Sequence, residues 1–459
     1  MTLWTAAEIA AATGGTASGD FAVTGVAFDS REVGPGDLFV ALTGESTDGH
    51  RFLDQAFAQG AAGALVSADP PHPHVRVGDT AHALDALARA ARARTQATVI
   101  GVTGSVGKTS VKEALFAALD RAAPGATHRS VKSYNNHVGV PLSLARMPWD
   151  SRFAVLEMGM NHPGELAALT RLARPHVALV TAIAPAHTAF FPDEAAIADA
   201  KGEIFQGLET PDGATGGTAI VPWDSPHYTR LAAAAAPYAA RTVTFGAGED
   251  ADVRPLELMQ VAAGQFITAR VGSRELSFTL SQPGAHWVSN ALAVLAAVDA
   301  AGGDLGLAGL ALGELGGLAG RGERFATPVG DGEATVIDES YNANPASMRA
   351  TLAVLADAPG RHVAVLGEMR ELGDGSAAYH AALAEPVLAA RAEPILLVGE
   401  AMAPLARALE QKVNVVHVPD ATAALGALRG VLAAGDTLLV KGSNGVGLSR
   451  IVAALRGGA

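Results

Sequence analysis

The sequence predicts an α/β fold in three domains, a small N-terminal mixed α/β domain followed by two doubly wound sheets. At 459 residues the chain is too long to fold around a single hydrophobic core, so several domains are expected. From Thr98 onward, short apolar runs alternate with helical stretches, the pattern of parallel strands covered by helices on both faces. A glycine-rich joint at 316–322 interrupts this alternation, which then resumes. We therefore place the domains at residues 1–95, 96–319 and 320–459.

The elements of the first two domains follow from apolar patterning. The N-terminal domain has predicted strands at Leu38–Leu42 and Ala64–Ser67, with a helix at Phe52–Gln59 between them. An alanine-rich helix, Ala81–Arg94, leads into the second domain. There the clearest predicted strands are Thr98–Val102, Phe153–Glu157 and Val177–Ile183. The stretch from Thr218 to Leu280 alternates in a strand-like way, carries no motif and is interpreted as structural.

The third domain has five apolar runs separated by helical patterns, which favours a second doubly wound, Rossmann-like domain. The predicted strands are Thr335–Ile337, His362–Leu366, Ile395–Val398, Val413–Val418 and Thr437–Val440.

Composition excludes several classes of function. The net charge of −13 has the wrong sign for holding nucleic acid by its phosphates. The absence of cysteine excludes disulfides, thiolate metal sites and cysteine nucleophiles.

The segment Met1–Gly15 lacks the basic start of a secretory signal, and Asp299 interrupts the best apolar candidate for a membrane span. We therefore expect a cytoplasmic protein that binds no nucleic acid and inserts into no membrane. A monomer is a separate expectation, which none of these patterns determines.

The strongest chemical signal is the segment Gly101-Val102-Thr103-Gly104-Ser105-Val106-Gly107-Lys108-Thr109, between a predicted strand and the helical stretch Val111–Leu119. In a P-loop ATPase-type domain such glycines turn backbone N–H groups inward, and the helix N-terminus adds its dipole. Lys108 would reach the β- and γ-phosphates, and Thr109 would ligate Mg²⁺. The general motif has glycine where this chain has Val102, so the segment departs from the motif at that position, with glycine one residue earlier at 101. The predicted nucleotide contacts are Gly104, Ser105, Val106, Gly107, Lys108, Thr109 and Ser110.

Three further polar residues lie where ligands bind an open α/β sheet. Glu157 ends a predicted strand, and His187 follows the next strand by a few residues. Lys201 stands in a helical stretch that should project it toward the same crevice. A carboxylate there can hold Mg²⁺. Considered alone, Glu157 could equally be an ordinary acid at the end of a strand, His187 a surface histidine and Lys201 a solvated lysine.

The phosphate segment resembles the ATP loop of the Mur ligases and of their relatives, the folylpolyglutamate synthases. The resemblance implies ATP and two Mg²⁺ ions as cofactors, with Lys108, Glu157, His187 and Lys201 as catalytic residues. It implies that Thr109, Glu157, His187 and a carbamylated Lys201 hold the metal. Carbamylation needs a neutral amine, so the site must lower the pKa of that lysine. By the same resemblance, Asn135 and Asn136 approach the substrate, and Asn290 lies beside adenine.

Three segments indicate which branch of the family the chain resembles. Phe28–Leu42 and Asp48-Gly49-His50 are similar to the UDP-sugar domain of the branches that add the third residue and the final dipeptide. Asp338–Met348 resembles the Asp-x-Ser-Tyr-Asn-Ala-Asn-Pro-x-Ser-Met signature of the dipeptide-adding branch. That branch usually has arginine where this chain has Asn444. The implied substrate contacts are Ser30, Arg31, Asp48, Asn135, Asn136, Tyr341, Asn342, Asn344 and Lys441, and the implied ATP contacts on the third domain are Arg321 and Asp338.

The resemblance implies ATP-dependent ligation of D-alanyl-D-alanine to a UDP-N-acetylmuramoyl tripeptide. The N-terminal domain would bind the UDP-sugar, the central domain ATP, and the C-terminal domain both ATP and the dipeptide. Three alternatives stay open at this point. They are another Mur-type ligase, a folylpolyglutamate synthase, and a regulatory module that senses a nucleotide without joining anything.

Overall fold

The computed structural model describes residues 1–44, 47–186, 188–261 and 264–457, and confirms the α/β class. The N-terminal sheet has strand order β2-β7-β6-β5-β4, parallel except for β2, and β1 pairs with β3 separately. Its strands are β1 Trp4–Thr5, β2 Thr16–Ala17, β3 Ala22–Val23, β4 Gly25–Ala27, β5 Asp37–Val40, β6 Gly63–Val66 and β7 His74–Arg76. Its helices are α1 Ala6–Thr13, α2 Leu53–Ala58 and α3 Thr80–Arg94.

The central sheet has strand order β16-β15-β14-β13-β12-β11-β8-β10-β9. It is parallel from β9 to β14 and ends in antiparallel strands. Its strands are β8 Thr98–Thr103, β9 Thr127–Arg129, β10 Phe153–Glu157, β11 Val177–Val180, β12 Thr218–Pro222, β13 Arg241–Phe245, β14 Val253–Val261, β15 Gly264–Val271 and β16 Arg274–Leu280. Its helices are α4 Lys108–Ala122, α5 Gly139–Ala145, α6 Glu165–Ala173, α7 Glu194–Gly202, α8 Tyr228–Ala235, α9 Ala285–Ala300 and α10 Leu305–Gly313.

The C-terminal sheet has strand order β17-β18-β22-β19-β20-β21 and is parallel except for β17. Its strands are β17 Glu323–Val329, β18 Gly332–Glu339, β19 His362–Gly367, β20 Ala392–Val398, β21 Val415–Val418 and β22 Thr437–Lys441. Its helices are α11 Pro345–Ala356, α12 Ser376–Ala381, α13 Ala384–Ala389, α14 Ala403–Leu409, α15 Ala421–Arg429 and α16 Ser449–Arg456.

Apolar residues of β8, β10 and β11 point alternately into two cores, one on each face of the central sheet. Val102 packs into the core that includes α4 and α9. Val180 packs into the opposite core, with α6 and α7. Because β10 lies on one side of β8 and β11 on the other, the chain reverses its winding at β8. A crevice at the carboxyl ends of these strands is where such sheets bind ligands.

One predicted strand was wrong in its bounds, and one strand was not predicted. β11 ends at Val180 rather than Ile183, because Thr181 turns to the phosphate loop, where its Oγ1 donates to the carbonyl of Val106 at 2.5 Å. The third sheet also contains β17, which the apolar runs did not predict. β17 forms an antiparallel hairpin with β18 at the sheet edge, so most of its side chains stay partly exposed and it lacks an apolar run.

Candidate functional site

The phosphate loop joins β8 to α4 through two glycines in backbone conformations that side chains disfavour. Gly104 has φ 148° and Gly107 has φ 87°. A Cβ at Gly104 would collide with Oγ1 of Thr181, and one at Gly107 would lie 2.8 Å from Oδ1 of Asn290. The loop therefore needs glycine at both positions, and it brings Asn290 of α9 against its turn. The N-terminus of α4 faces the crevice, as an anion site requires.

Lys108 is the first residue of α4, and its ammonium donates to the carbonyl of Gly104 at 2.7 Å. Burial lowers the pKa of Lys108, while the nearby carboxylate of Glu157 opposes that shift. A cation desolvated in this way attracts anionic ligands more strongly than a solvated one does. Lys108 can therefore bind a terminal phosphate at the mouth of the loop.

Glu157 ends β10 beside the loop and is almost fully buried. Oγ1 of Thr109 donates to one of its carboxylate oxygens at 2.9 Å, and Nδ2 of Asn135 donates to the other at 2.7 Å. These two hydrogen bonds hold the carboxylate in a fixed orientation beside the loop. The predicted group of Thr109, Glu157 and Asn135 is thus one hydrogen-bonded unit.

Lys201 lies near the end of α7 with only 1% of its surface exposed, and it lines the same crevice. Its pKa lies well below the ordinary value because burial disfavours the ammonium and Lys108 adds a second positive charge. A neutral amine, the form that carbamylation requires, is therefore favoured at this position.

The crevice opens into a cavity of about 510 Å³ between the central and C-terminal domains. From the C-terminal side, the guanidinium of Arg321 stacks 4.3 Å from the ring of Tyr341 and lies 3.3 Å from Oγ of Ser133. Lys441, fully buried, donates to the carbonyl of Asn342 at 2.9 Å. The predicted residues that line the cavity are Ser105, Val106, Gly107, Lys108, Thr109, Ser110, Asn135, Glu157, Lys201, Asn290, Arg321, Tyr341, Asn342, Asn344 and Lys441.

Three predicted nucleotide and substrate contacts have other partners. The Asp338 carboxylate accepts from the backbone N–H of Gly320 and from the Ser340 hydroxyl, so it positions the loop that carries Arg321 rather than facing the cavity. Asn136 accepts from the N–H groups of Val138 and Gly139 at the start of α5. Gly104 contributes its carbonyl to Lys108 from behind the loop.

The predicted UDP-sugar residues lie on the N-terminal domain, outside this cavity. Arg31 forms an ion pair with Asp29, Ser30 donates to Gln55, and Asp48 accepts from the N–H of His50. The next residue after Arg31, Glu32, accepts from the hydroxyl of Tyr134 at 2.8 Å. That contact joins this domain to the loop carrying Asn135. His187 lies outside the described residues, so its predicted role stays a prediction.

Lys112 was missed by the sequence interpretation. Its Nζ is fully buried, donates to the carbonyl of Lys132 at 2.6 Å, and lies 3.0 Å from Glu113 and 3.7 Å from Glu157. The only available signal was its position three residues after Thr109 on one helix face. Lys112 ties the loop at 132–135 to the carboxylate of Glu157.

His286 was also missed. It lines the cavity one helical turn before Asn290, and burial together with the charge of Lys441 lowers its pKa to about 4. A neutral imidazole of this kind can stack on or hydrogen-bond a nucleotide without adding charge.

The residues at the crevice fit Mg²⁺ in their chemistry, since the Thr109 hydroxyl and Glu157 carboxylate are adjacent hard oxygen donors. Within the described ranges, no three carboxylate or imidazole side chains cluster as a ready-made metal site. A nucleotide-linked Mg²⁺, which keeps waters and phosphate oxygens as ligands, needs only one or two protein donors.

Family models match the chain in three consecutive stretches. "Mur ligase family, catalytic domain" matches residues 22–94, "Mur ligase middle domain" 102–298, and "Mur ligase, glutamate ligase domain" 320–444. A UDP-N-acetylmuramoyl-tripeptide–D-alanyl-D-alanine ligase from Escherichia coli is 36% identical over 95% of this chain and 94% of its own length. The chain belongs to the Mur ligase family. A Bacillus subtilis Mur ligase of the same name is 34% identical over 94% of this chain and 92% of its own.

Solved Mur ligase structures share this architecture. A MurF structure from Acinetobacter baumannii superposes with a TM-score of 0.83 at 30% identity, covering 98% of each chain. MurF ligase from Thermotoga maritima, solved in complex with ADP, gives 0.77 at 26% identity over 95% of this chain and 98% of that one. A folylpolyglutamate synthase from Mycobacterium tuberculosis gives 0.60 at 18% identity over 80% of this chain and 94% of that one, which indicates a shared fold only. In the part of this Mur ligase that the structure describes, no helix is long and apolar enough to cross a bilayer.

Proposed function

We propose that this chain joins D-alanyl-D-alanine to UDP-N-acetylmuramoyl-tripeptide, using ATP, and so makes the UDP-linked pentapeptide precursor of peptidoglycan. The observation that carries the proposal is one cavity lined both by the phosphate loop and by the Tyr341–Asn344 segment. The first is suited to a nucleotide, and the second resembles the signature of the dipeptide-adding branch. The names of the similar Escherichia coli and Bacillus subtilis proteins support the same reaction.

The chemistry follows from the need to activate a carboxylate. The tripeptide carboxylate attacks the γ-phosphorus of ATP, so ADP leaves and an acyl phosphate forms. The dipeptide amine then attacks the acyl carbon, an amide bond forms, and inorganic phosphate leaves. Lys108 and the N–H groups of the phosphate loop stabilise negative charge on the transferred phosphoryl group. Mg²⁺, when bound, neutralises further phosphate charge.

The other residues hold this arrangement in place. Thr109 and Glu157 would hold one Mg²⁺, and we propose that carbamylated Lys201 and His187 hold a second. Arg321 would reach the nucleotide from the C-terminal domain, while Asp338 fixes the loop that carries it. Ser30, Arg31 and Asp48 would bind the UDP-sugar on the N-terminal domain. We further propose a cytoplasmic monomer with domains at 1–95, 96–319 and 320–459.

Product mass analysis tests the reaction. The chain is incubated with ATP, D-alanyl-D-alanine and UDP-muramoyl tripeptides whose third residue is either lysine or diaminopimelate. The expected product has the mass of the tripeptide nucleotide plus the dipeptide minus water. Phosphate release from ATP should require both the tripeptide nucleotide and D-alanyl-D-alanine. Phosphate release with neither substrate present, or glutamate addition to a folate, would replace this proposal with one of the alternatives.

A further inference from the structure

An exposed arginine, Arg370, directly precedes a residue of the cavity lining on the C-terminal domain, and the proposed chemistry does not use it. Its backbone N–H donates to Oγ of Ser443 at 3.0 Å. Its guanidinium lies across the backbone of Gly445, where a Cβ would collide with Nη1 and lie 2.8 Å from Cζ. The chain neighbours of these two residues, Glu371 and Asn444, both line the cavity. The guanidinium is therefore held at the edge where the two segments meet.

This edge docks against the central domain close to the phosphate loop. The backbone N–H of Ala189 donates to the carbonyl of Glu371 at 3.1 Å, and Oγ1 of Thr188 donates to the carbonyl of Leu372 at 3.0 Å. The same central-domain loop is bonded to the phosphate loop, since the N–H of Ala184 donates to Oγ of Ser105 at 3.1 Å. Arg370 thus directly precedes a segment that contacts the loop bonded to the phosphate loop.

The other cations at the cavity already have partners or are deeply buried. Lys441 is buried against Glu339 and Asn342, and Arg321 covers the ring of Tyr341. Lys201 and Lys108 lie at the phosphate end. Among the described residues, no carboxylate forms an ion pair with Arg370. Asn444 contributes no charge to this edge, so Arg370 is the cation available to an anionic group entering here.

We propose that Arg370 binds the terminal carboxylate of the incoming dipeptide, an inference that rests on the proposed function. A dipeptide spans about 7 Å from its amine to its carboxylate. With the amine at the acyl phosphate, a dipeptide that extends toward the C-terminal domain brings its carboxylate to that side of the cavity. A planar guanidinium can accept that carboxylate through two parallel hydrogen bonds. Arg370 thereby selects a dipeptide with a free carboxylate and sets the direction of its amine.

Steady-state kinetics of Arg370→Ala test this assignment. The expected result is a rise in the KM for D-alanyl-D-alanine of about tenfold to a hundredfold, the effect of losing a charged hydrogen bond. The KM values for ATP and the tripeptide nucleotide should change less than about twofold. Arg370→Lys should give an intermediate KM, because charge remains without the bidentate geometry. Arg407→Ala, which removes an exposed arginine of α14 outside the cavity lining, is the matched control.

The amide D-alanyl-D-alaninamide, which lacks the carboxylate, provides a test independent of folding. Wild-type enzyme should use it about tenfold to a hundredfold less well than the acid, whereas Arg370→Ala should not distinguish the two. Gly445→Ala provides a second variant, because a methyl group there must displace the guanidinium while its backbone stays relaxed. It should raise the same KM, and adding Arg370→Ala should raise it no further.

The outcomes separate the two proposals. An active wild-type enzyme whose Arg370→Ala variant keeps its dipeptide KM, or which uses amide and acid equally, overturns the role of Arg370 alone. A wild-type enzyme that makes no pentapeptide product overturns the proposed function together with this inference.

Discussion

Lys108 is the residue on which the proposed transfer of phosphate depends most directly. Lys108→Ala should lower kcat/KM by at least about a hundredfold to a thousandfold, because a preorganised donor to the developing charge is lost. Its ammonium donates to a loop carbonyl, that of Gly104, so the fold should persist without it. Phosphate release measures the first effect and circular dichroism the second. Turnover at the wild-type rate would remove the loop from the mechanism.

Lys201 is expected to carry a carbamate, because burial and the charge of Lys108 depress its pKa and leave the neutral amine available. Enzyme equilibrated with ¹³C-bicarbonate should show a carbamate carbon by NMR, and Lys201→Arg should not. Lowering the pH through the depressed pKa should remove the signal, since protonation consumes the reactive amine. A spectrum identical for both proteins would contradict the assignment.

At the scale of elements, α3 is the helix that connects the N-terminal domain to the central one. Arg92 near its end is buried and donates to the carbonyl of Ala173 at 2.8 Å and to Glu209 at 2.6 Å. Arg92 also donates to the carbonyl of Arg174 at 2.8 Å. The buried Arg92 therefore fixes the end of α3 against the end of α6 and the segment at Glu209.

Arg92→Met should lower the free energy of unfolding of the central domain by about 3 kcal/mol, because the largely buried carboxylate of Glu209 loses its nearest cation and keeps only the more distant Arg174. Urea denaturation followed by circular dichroism measures the change. Arg89→Met on the exposed face of the same helix is the control and should cost less than about 0.5 kcal/mol. Replacing Glu209 with Gln as well should restore part of the loss. Equal effects at positions 92 and 89 would show that the buried pair is not what fixes the helix.

At the scale of the whole molecule, the cavity is divided between domains, so the site is complete only while they are in contact. We expect the ligand-free enzyme in solution to sample more open arrangements and to become more compact on binding a non-hydrolysable ATP analogue with the tripeptide nucleotide. Small-angle scattering should show a smaller radius of gyration. The Arg321→Ala variant loses the contacts to Ser133 and Tyr341, so its radius of gyration should decrease less when the ligands bind. An unchanged radius in wild-type enzyme would count against closure.

Local patterns in the sequence determined the α/β class and most of the strands. Short apolar runs such as Phe153–Glu157 are buried on both faces, which makes them recognisable without a partner. The phosphate loop was equally recognisable, because its glycines are required by backbone geometry at Gly104 and Gly107 rather than by distant contacts. The edge strand β17 was missed because its burial depends on the hairpin that it forms.

Only the tertiary structure decided which polar residues face the cavity. Asp338 and Asn136 stand in segments that resemble the family, yet their side chains turn to backbone groups nearby. The sequence predicted no role for Lys112 or Arg370, and the positions of both side chains depend on distant segments of the chain, at Lys132 and Gly445. The periodicity of apolar residues predicts whether a side chain points toward the core or toward the solvent. The partner it meets there depends on how three separate sheets pack together.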